Sequence, residues 1–248
     1  MLNFQYKSVN AKSDSFKGGA DWIGSPDDAL TGFDWKSSEE GAKIVMWSDV
    51  FLYEDAKNSY AMLLMDTQGL GKGLSITSKA NIFALNALFS SFLIYNVEFP
   101  MKAEEFENLR LSLEHAKNIL EAKVNHEGGD LTVKPFQDFV FLFRDVELQK
   151  EQQRWGFNGG SDFVDNYFKF SDKAYTESFS INAGFEYVYG FSMPPPGEAV
   201  TQGTFDGRFS QLDRDFQEQL QVFINEIFSP HHFKPKKLFG QELTVKYF

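Results

Sequence analysis

Apolar and polar positions divide the chain into an irregular first part and a regular remainder. Residues 11–43 are rich in Ser, Asp, Lys and Gly, with Trp22, Phe33 and Trp35 as isolated anchors. They predict long irregular structure after a short helical start. From Ile44 the pattern tightens. Ile44–Trp47 and Val50–Tyr53 read as strands, with a polar turn over Asp55–Asn58. Tyr60 to Met65 is an unbroken apolar run, which predicts a strand covered on both faces. Ile82, Phe83, Leu85, Leu88 and Phe89 at helical spacing predict a helix over 78–90. Phe106, Leu109, Leu113 and Leu120 predict a longer amphipathic helix over 102–123. Phe92–Val97 and Phe139–Phe143 read as further buried strands, the second running into Arg144-Asp145. Helices over 162–170 and 173–180, a strand over 187–193, a helix over 210–228 and a hairpin at Phe239-Gly240 complete the pattern.

Buried strands alternating with helices predict an α/β fold, a three-layer sandwich around a mainly parallel sheet. No internal repeat, low-complexity segment or linker interrupts it, so one domain is expected. In such sheets ligands meet the loops at strand C-termini. Those loops are Asp66–Gly69, Asn96–Glu98, Arg144–Glu147 and Pro194–Val200.

Composition narrows the function. The net charge is −11 and no dense Lys/Arg block occurs, which argues against a nucleic-acid partner. The chain has no Cys, so disulfides, thiolate metal sites and Cys nucleophiles are excluded. The 28 Phe suit a bulky core. The most apolar stretch, Phe83–Val97, carries Asn86, Ser90, Ser91 and Asn96 and falls short of roughly 18 apolar residues. Met1–Gln5 has neither the basic nor the apolar region of a signal peptide. The expectation is a soluble, cytoplasmic chain with no membrane segment.

Three stretches offer chemistry. Asp66-Thr67-Gln68-Gly69 follows the apolar run. There a carboxylate at a strand tip can hold Mg²⁺ through water and the Gly amide can face a γ-phosphate; a plain strand-ending turn is the alternative. The Asp-x-x-Gly pattern also occurs at Asp21–Gly24, without a strand before it. Gly69–Gly73 is no phosphate loop, because Leu74 and Gly73 stand where Gly and Ser/Thr are required. Arg144-Asp145 is a charged pair where a core strand stops. Its carboxylate can accept from the ring N–H and exocyclic amine of guanine, or it serves in a surface salt bridge or a helix N-cap. His115, His126, His231 and His232 show no zinc-ligand spacing, and no Ser/His/Asp set can be singled out.

Several ordered motifs together resemble the guanylate-binding, dynamin-related large GTPases, and most closely atlastin GTPase domains. They are Asp21–Gly24, Leu30–Trp35, Trp47–Leu52, Leu63–Gly69, Phe141–Asp145, and Pro194–Val200 with Phe205-Asp206-Gly207. The resemblance implies a Ras-like large-GTPase G domain that binds GTP with Mg²⁺ and dimerises through that domain. Asp66, Gln68 and Gly69 look like switch II, with Asp66 an indirect Mg²⁺ contact. Arg144 and Asp145 look like the family's Arg-Asp guanine signature, and Val200 lies in its base-capping loop. Atlastins use the GTP cycle to fuse endoplasmic-reticulum membranes.

The sequence departs from the family in two places. The Gly-x-x-x-x-Gly-Lys-Ser loop and its strand are missing ahead of Met1-Leu2-Asn3-Phe4, as is the finger arginine. Gly41-Ala42-Lys43 stands where the family carries Thr-Thr-Gly before Ile44-Val45-Met46-Trp47, so switch I has no hydroxyl for Mg²⁺ at 41 or 42. The expectation is a truncated G domain over 1–230 without its first strand and P-loop. Residues 231–248 then form a C-terminal appendage leading to an absent helical bundle. No catalytic residue is left intact, and nucleotide binding and hydrolysis are impaired. The alternative is a non-catalytic pseudo-GTPase that binds or dimerises.

Overall fold

The computed structural model describes residues 27–29, 43–54, 59–68, 74–127, 134–148, 154–171, 181–229, 233–238 and 240–244. Two units share the chain, 1–74 with 196–233 and 75–195 with 234–248.

In the first unit, β1 (Lys43–Met46) pairs antiparallel with β4 (Met65–Gln68), and β2 (Phe51–Glu54) with β3 (Ser59–Met62). The apolar run 60–65 is therefore not one buried strand. It splits at Leu63-Leu64, where the Trp47 N–H donates to the Leu64 carbonyl at 2.9 Å. Leu64 goes inside, while β3 alternates exposed and half-buried positions. Such alternation belongs to an antiparallel strand with one wet face, and a run of apolar letters cannot distinguish it from a doubly covered strand.

The second unit is built on a parallel sheet. Helix α1 (Ile76–Phe89) starts at Ser75, whose hydroxyl accepts from the Ser78 N–H at 3.1 Å. Then follow β5 (Phe92–Glu98), α2 (Ala103–Glu127), β6 (Phe136–Arg144), α3 (Gly156–Ser171), the short α4 (Ile181–Gly184) and β7 (Phe185–Ser192). Strand order is β5-β6-β7, all parallel, with Tyr95 beside Phe141 and Phe141 beside Gly190. Helices flank the sheet, as an α/β G domain requires. Phe136 to Phe143 on β6 are all buried, the mark of a central parallel strand. Phe139, Phe141 and Phe143 form a ladder of rings that meets Phe83 of α1 and Phe163 and Tyr167 of α3. Much of the phenylalanine content is consumed here.

Helix α3 begins six residues before the sequence expectation. Gly156, Gly159 and Gly160 weaken a helix by themselves. Here they are required, because a Cβ on Gly160 would overlap the backbone of Gly190 and Phe191. Close packing against β7 overrides local propensity.

The first unit resumes with α5 (Glu198–Thr201), a 3-10 turn at Phe209–Gln211 and α6 (Arg214–Ile227), whose Leu220, Phe223, Ile224 and Ile227 are buried. The helix expected over 210–228 starts later because Leu212 and Asp213 are extended. In the second unit, β8 (Lys237–Leu238) and β9 (Gln241–Glu242) form the expected hairpin. The stretch leading into it is fastened to the sheet. Lys234 Nζ lies 2.9 Å from both oxygens of the buried Asp138 carboxylate and 4.3 Å from the Tyr187 ring centre. Lys236 Nζ donates to the carbonyls of Ser90 at 2.9 Å and Ala87 at 3.3 Å, which terminate α1. Gln137 joins both sides, donating to the Pro235 carbonyl and accepting from the Lys237 N–H.

Candidate functional site

Arg144 and Asp145 sit where β6 leaves the core, and backbone bonds fix that corner. The Arg144 carbonyl accepts from the Phe99 N–H at 2.9 Å and the Phe143 carbonyl from the Met193 N–H at 2.8 Å. The Val146 N–H donates to the Met193 carbonyl at 3.0 Å. The Val146 carbonyl accepts from the Trp155 indole N–H at 2.8 Å. Between these fasteners Asp145 has φ 60, a left-handed conformation that side-chain-bearing residues avoid and that Asp tolerates better than most.

The Asp145 carboxylate remains accessible, its side chain 39% exposed. Arg144 Nη1 lies 3.5 Å from its Oδ2, a long half-exposed bridge worth at most about 1 kcal/mol. Arg144 Nε is buried and has no hydrogen-bond partner among the described residues. No helix starts at Asp145, since α3 begins at Gly156, so the N-cap alternative falls. The salt-bridge alternative is present but weak, and a ligand offering two parallel N–H donors can displace it.

The other candidates lie in the first unit and are described on their own. Asp66 is inside β4, opposite Val45, and not at the tip of a parallel strand. It is half-buried, and Gln68 ends the strand. Val200 lies on α5, 37% exposed. That turn is held at both ends. Gly197 has φ 105, and a Cβ there would overlap the Asp213 carboxylate. Beyond it the Ala199 carbonyl accepts from the N–H groups of Thr204 and Phe205, both at 2.9 Å. Asp206 and Gly207 continue as an ordered turn, where the Gln211 side chain accepts from the Asp206 N–H at 3.0 Å.

Gly69, the loop 69–73, Asp21–Gly24, Leu30–Trp35, Gly41-Ala42, the helix expected over 173–180 and His231-His232 lie outside the described residues. Among the described residues no group of three His, Cys, Asp or Glu side chains is placed to hold a metal. Among the same residues no helix is long and apolar enough to cross a membrane.

Residues 13–238 match the guanylate-binding protein N-terminal domain. The chain belongs to the guanylate-binding protein family. It is 32% identical to Atlastin-1 of Bos taurus over 236 residues, 91% of this chain and 40% of that protein. Against Atlastin-3 of Homo sapiens the identity is 30% over 255 residues, 99% of this chain and 45% of the relative. The chain thus spans less than half the length of these curated relatives. Its place is an atlastin-like GTPase domain of the guanylate-binding protein family.

Sequence reasoning missed Trp155, Met193 and Ser192, the residues that hold this family member's Asp145 corner in shape. Trp155 follows a polar stretch and opens a glycine-rich one, and neither pattern marks it. Its one signal is its type, a Trp bracketed by Arg154 and Gly156 far from any apolar run.

Proposed function

We propose that this chain recognises a guanine nucleotide, reading the base through the Asp145 carboxylate, and that it hydrolyses GTP weakly or not at all. The observation that carries the reading is the locked left-handed Asp145 at the end of β6, with its carboxylate accessible. Two acceptor oxygens match the N1–H and exocyclic amine of guanine. Adenine has no such donor pair.

By the family resemblance Val200 belongs to a base-capping loop, and Asp66, Gln68 and Gly69 belong to switch II, with Asp66 an indirect Mg²⁺ contact. Bound there, Mg²⁺ would neutralise phosphate charge. Arg144 stands beside the Asp145 carboxylate in the free protein. The loss of turnover rests on sequence: Gly41-Ala42 supplies no hydroxyl at switch I. The same substitution favours a second reading, a pseudo-GTPase that binds or dimerises without chemistry. A homodimer through the G domain and a role in endoplasmic-reticulum membrane fusion follow from the family resemblance and belong to this proposal.

Titrating GMP and AMP to millimolar concentration, followed in ¹H–¹⁵N spectra, tests the base reading. GMP should shift resonances around Asp145 and AMP should not. Asp145→Asn turns one acceptor into a donor, and a charge-assisted bond is worth about 1.5–3 kcal/mol, so GMP affinity should fall roughly 10-fold or more. Equal GMP binding by Asp145→Asn would sink the assignment. Phosphate release from GTP at the rate of a competent GTPase would overturn the impaired-turnover part alone.

A further inference from the structure

We propose that Trp155 is a positioning residue for guanine recognition, its indole N–H holding the Val146 carbonyl so that Asp145 keeps its left-handed conformation. The proposal rests on the guanine reading of Asp145. Three of the bonds around Asp145 are backbone to backbone, and any sequence could supply them. The fourth comes from a side chain, the Trp155 indole at 2.8 Å.

Trp155 is itself stapled on both sides. Gly156 pairs with Ser192 in an isolated bridge. The buried Ser192 hydroxyl lies 3.2 Å from the Arg154 carbonyl and 3.4 Å from that of Gly156. Met193, the next residue, is the one that holds Phe143 and Val146. Three segments therefore close one ring: the end of β6, the end of β7, and residues 154–156. The indole joins the third segment to the first.

Removing that N–H has a defined consequence. Val146 is 1% exposed, so its carbonyl would lose its partner in a place water does not reach. The residue must rotate to bring the carbonyl to solvent. Asp145 is joined to it by one peptide bond and sits in a conformation that a non-glycine residue leaves when released. By linkage, a base that binds the held conformation must in turn strengthen the Trp155 bond.

The test uses the full chain, GMP and AMP as probes, and two variants of equal ring size. Trp155→Phe removes the donor, and Trp155→Tyr supplies a hydroxyl in its place. Loss of one net hydrogen bond predicts GMP binding roughly 2- to 12-fold weaker in Trp155→Phe. Trp155→Tyr should recover most of it. A packing role alone would affect Phe and Tyr alike, so equal GMP affinities for the two overturn the proposal. If Trp155→Phe does not fold, the native protein still decides. GMP, and not AMP, should slow hydrogen exchange of the Trp155 indole N–H, and an unchanged rate at saturating GMP overturns it. Wild-type GMP affinity in Trp155→Phe alongside a loss in Asp145→Asn sinks this inference and leaves the guanine reading standing. No loss in Asp145→Asn sinks the reading itself.

Discussion

Strand β6 is buried from Phe136 to Phe143 with a parallel neighbour on each side, whereas β4 has four residues and half-buried Met65, Asp66 and Thr67. Each delivers an acidic residue that the sequence marks as a nucleotide contact. Asp145 emerges from a core that admits no slack, so its place is set before any ligand arrives. Asp66 stands on a short antiparallel pair, and β1 opposite it shows Ile44 and Met46 to solvent. The difference fits the two roles proposed for these residues. Base recognition depends on a preset donor–acceptor match, while a switch must have more than one arrangement available.

Truncating the core side chain should break this contrast most severely. Phe141→Ala removes a fully buried ring from the ladder and should cost about 3–5 kcal/mol, read from the urea midpoint. Ile44→Ala on β1, a residue 42% exposed, should stay within about 0.5 kcal/mol. Equal losses would mean that the first unit is as tightly packed as the second. Next comes Gly160→Ala, which presses a methyl into the Gly190 backbone and should cost about 3 kcal/mol, since neither backbone can yield. A near-neutral result would show that α3 rides loosely on β7.

Lys234→Ala probes the seat of the C-terminal stretch. Asp138 is 1% exposed and would be left charged without its ammonium. The cost should be about 2 kcal/mol, below that of a fully buried pair because Lys234 is one-third exposed. Asp138→Asn in the same background should return part of it, and no recovery would remove the stranded charge as the cause.

The last expected effect is a slope with pH and not a single loss. Burial pushes the Lys236 ammonium down from its ordinary 10.5 to about 8, with Glu186 opposing the shift. Between those values the unfolded chain holds more protons at this site than the folded one, so stability from Lys236 rises with pH across that window. Lys236→Met should flatten the rise when urea midpoints are compared between pH 8 and 10. Parallel profiles for the two proteins would show that its ionisation is not coupled to folding.

How far the sequence reveals this molecule depends on how local each cause is. Phe139–Phe143 announces β6 because burial on both faces leaves its mark on consecutive letters. The start of the strand stays hidden, since Gln137 and Asp138 look like turn residues until Pro235, Lys237 and Lys234 satisfy them from about a hundred positions away. Helix α3 is legible only from its second turn, because its glycines answer to Gly190 and not to helix propensity. At the candidate site the residue types of Arg144 and Asp145 can be read directly. The backbone twist that makes them useful cannot, since it is imposed by Met193 and Trp155. The apolar letters of 60–65 conceal a break that only the pairing of β1 with β4 exposes.

The fastening of Lys234 to Asp138 also has a timetable. The two residues are 96 positions apart, and Lys236 reaches a carbonyl 149 positions behind it. At a synthesis rate of about 5–20 residues per second, the ribosome needs roughly 5–20 s after making Asp138 before its counter-ion exists. Throughout that interval Phe136 to Phe143 are ready to collapse around a carboxylate that nothing neutralises. The sheet of the second unit therefore has a reason to stay open on the nascent chain, and its closure is tied to the arrival of a lysine made long after the strand it completes.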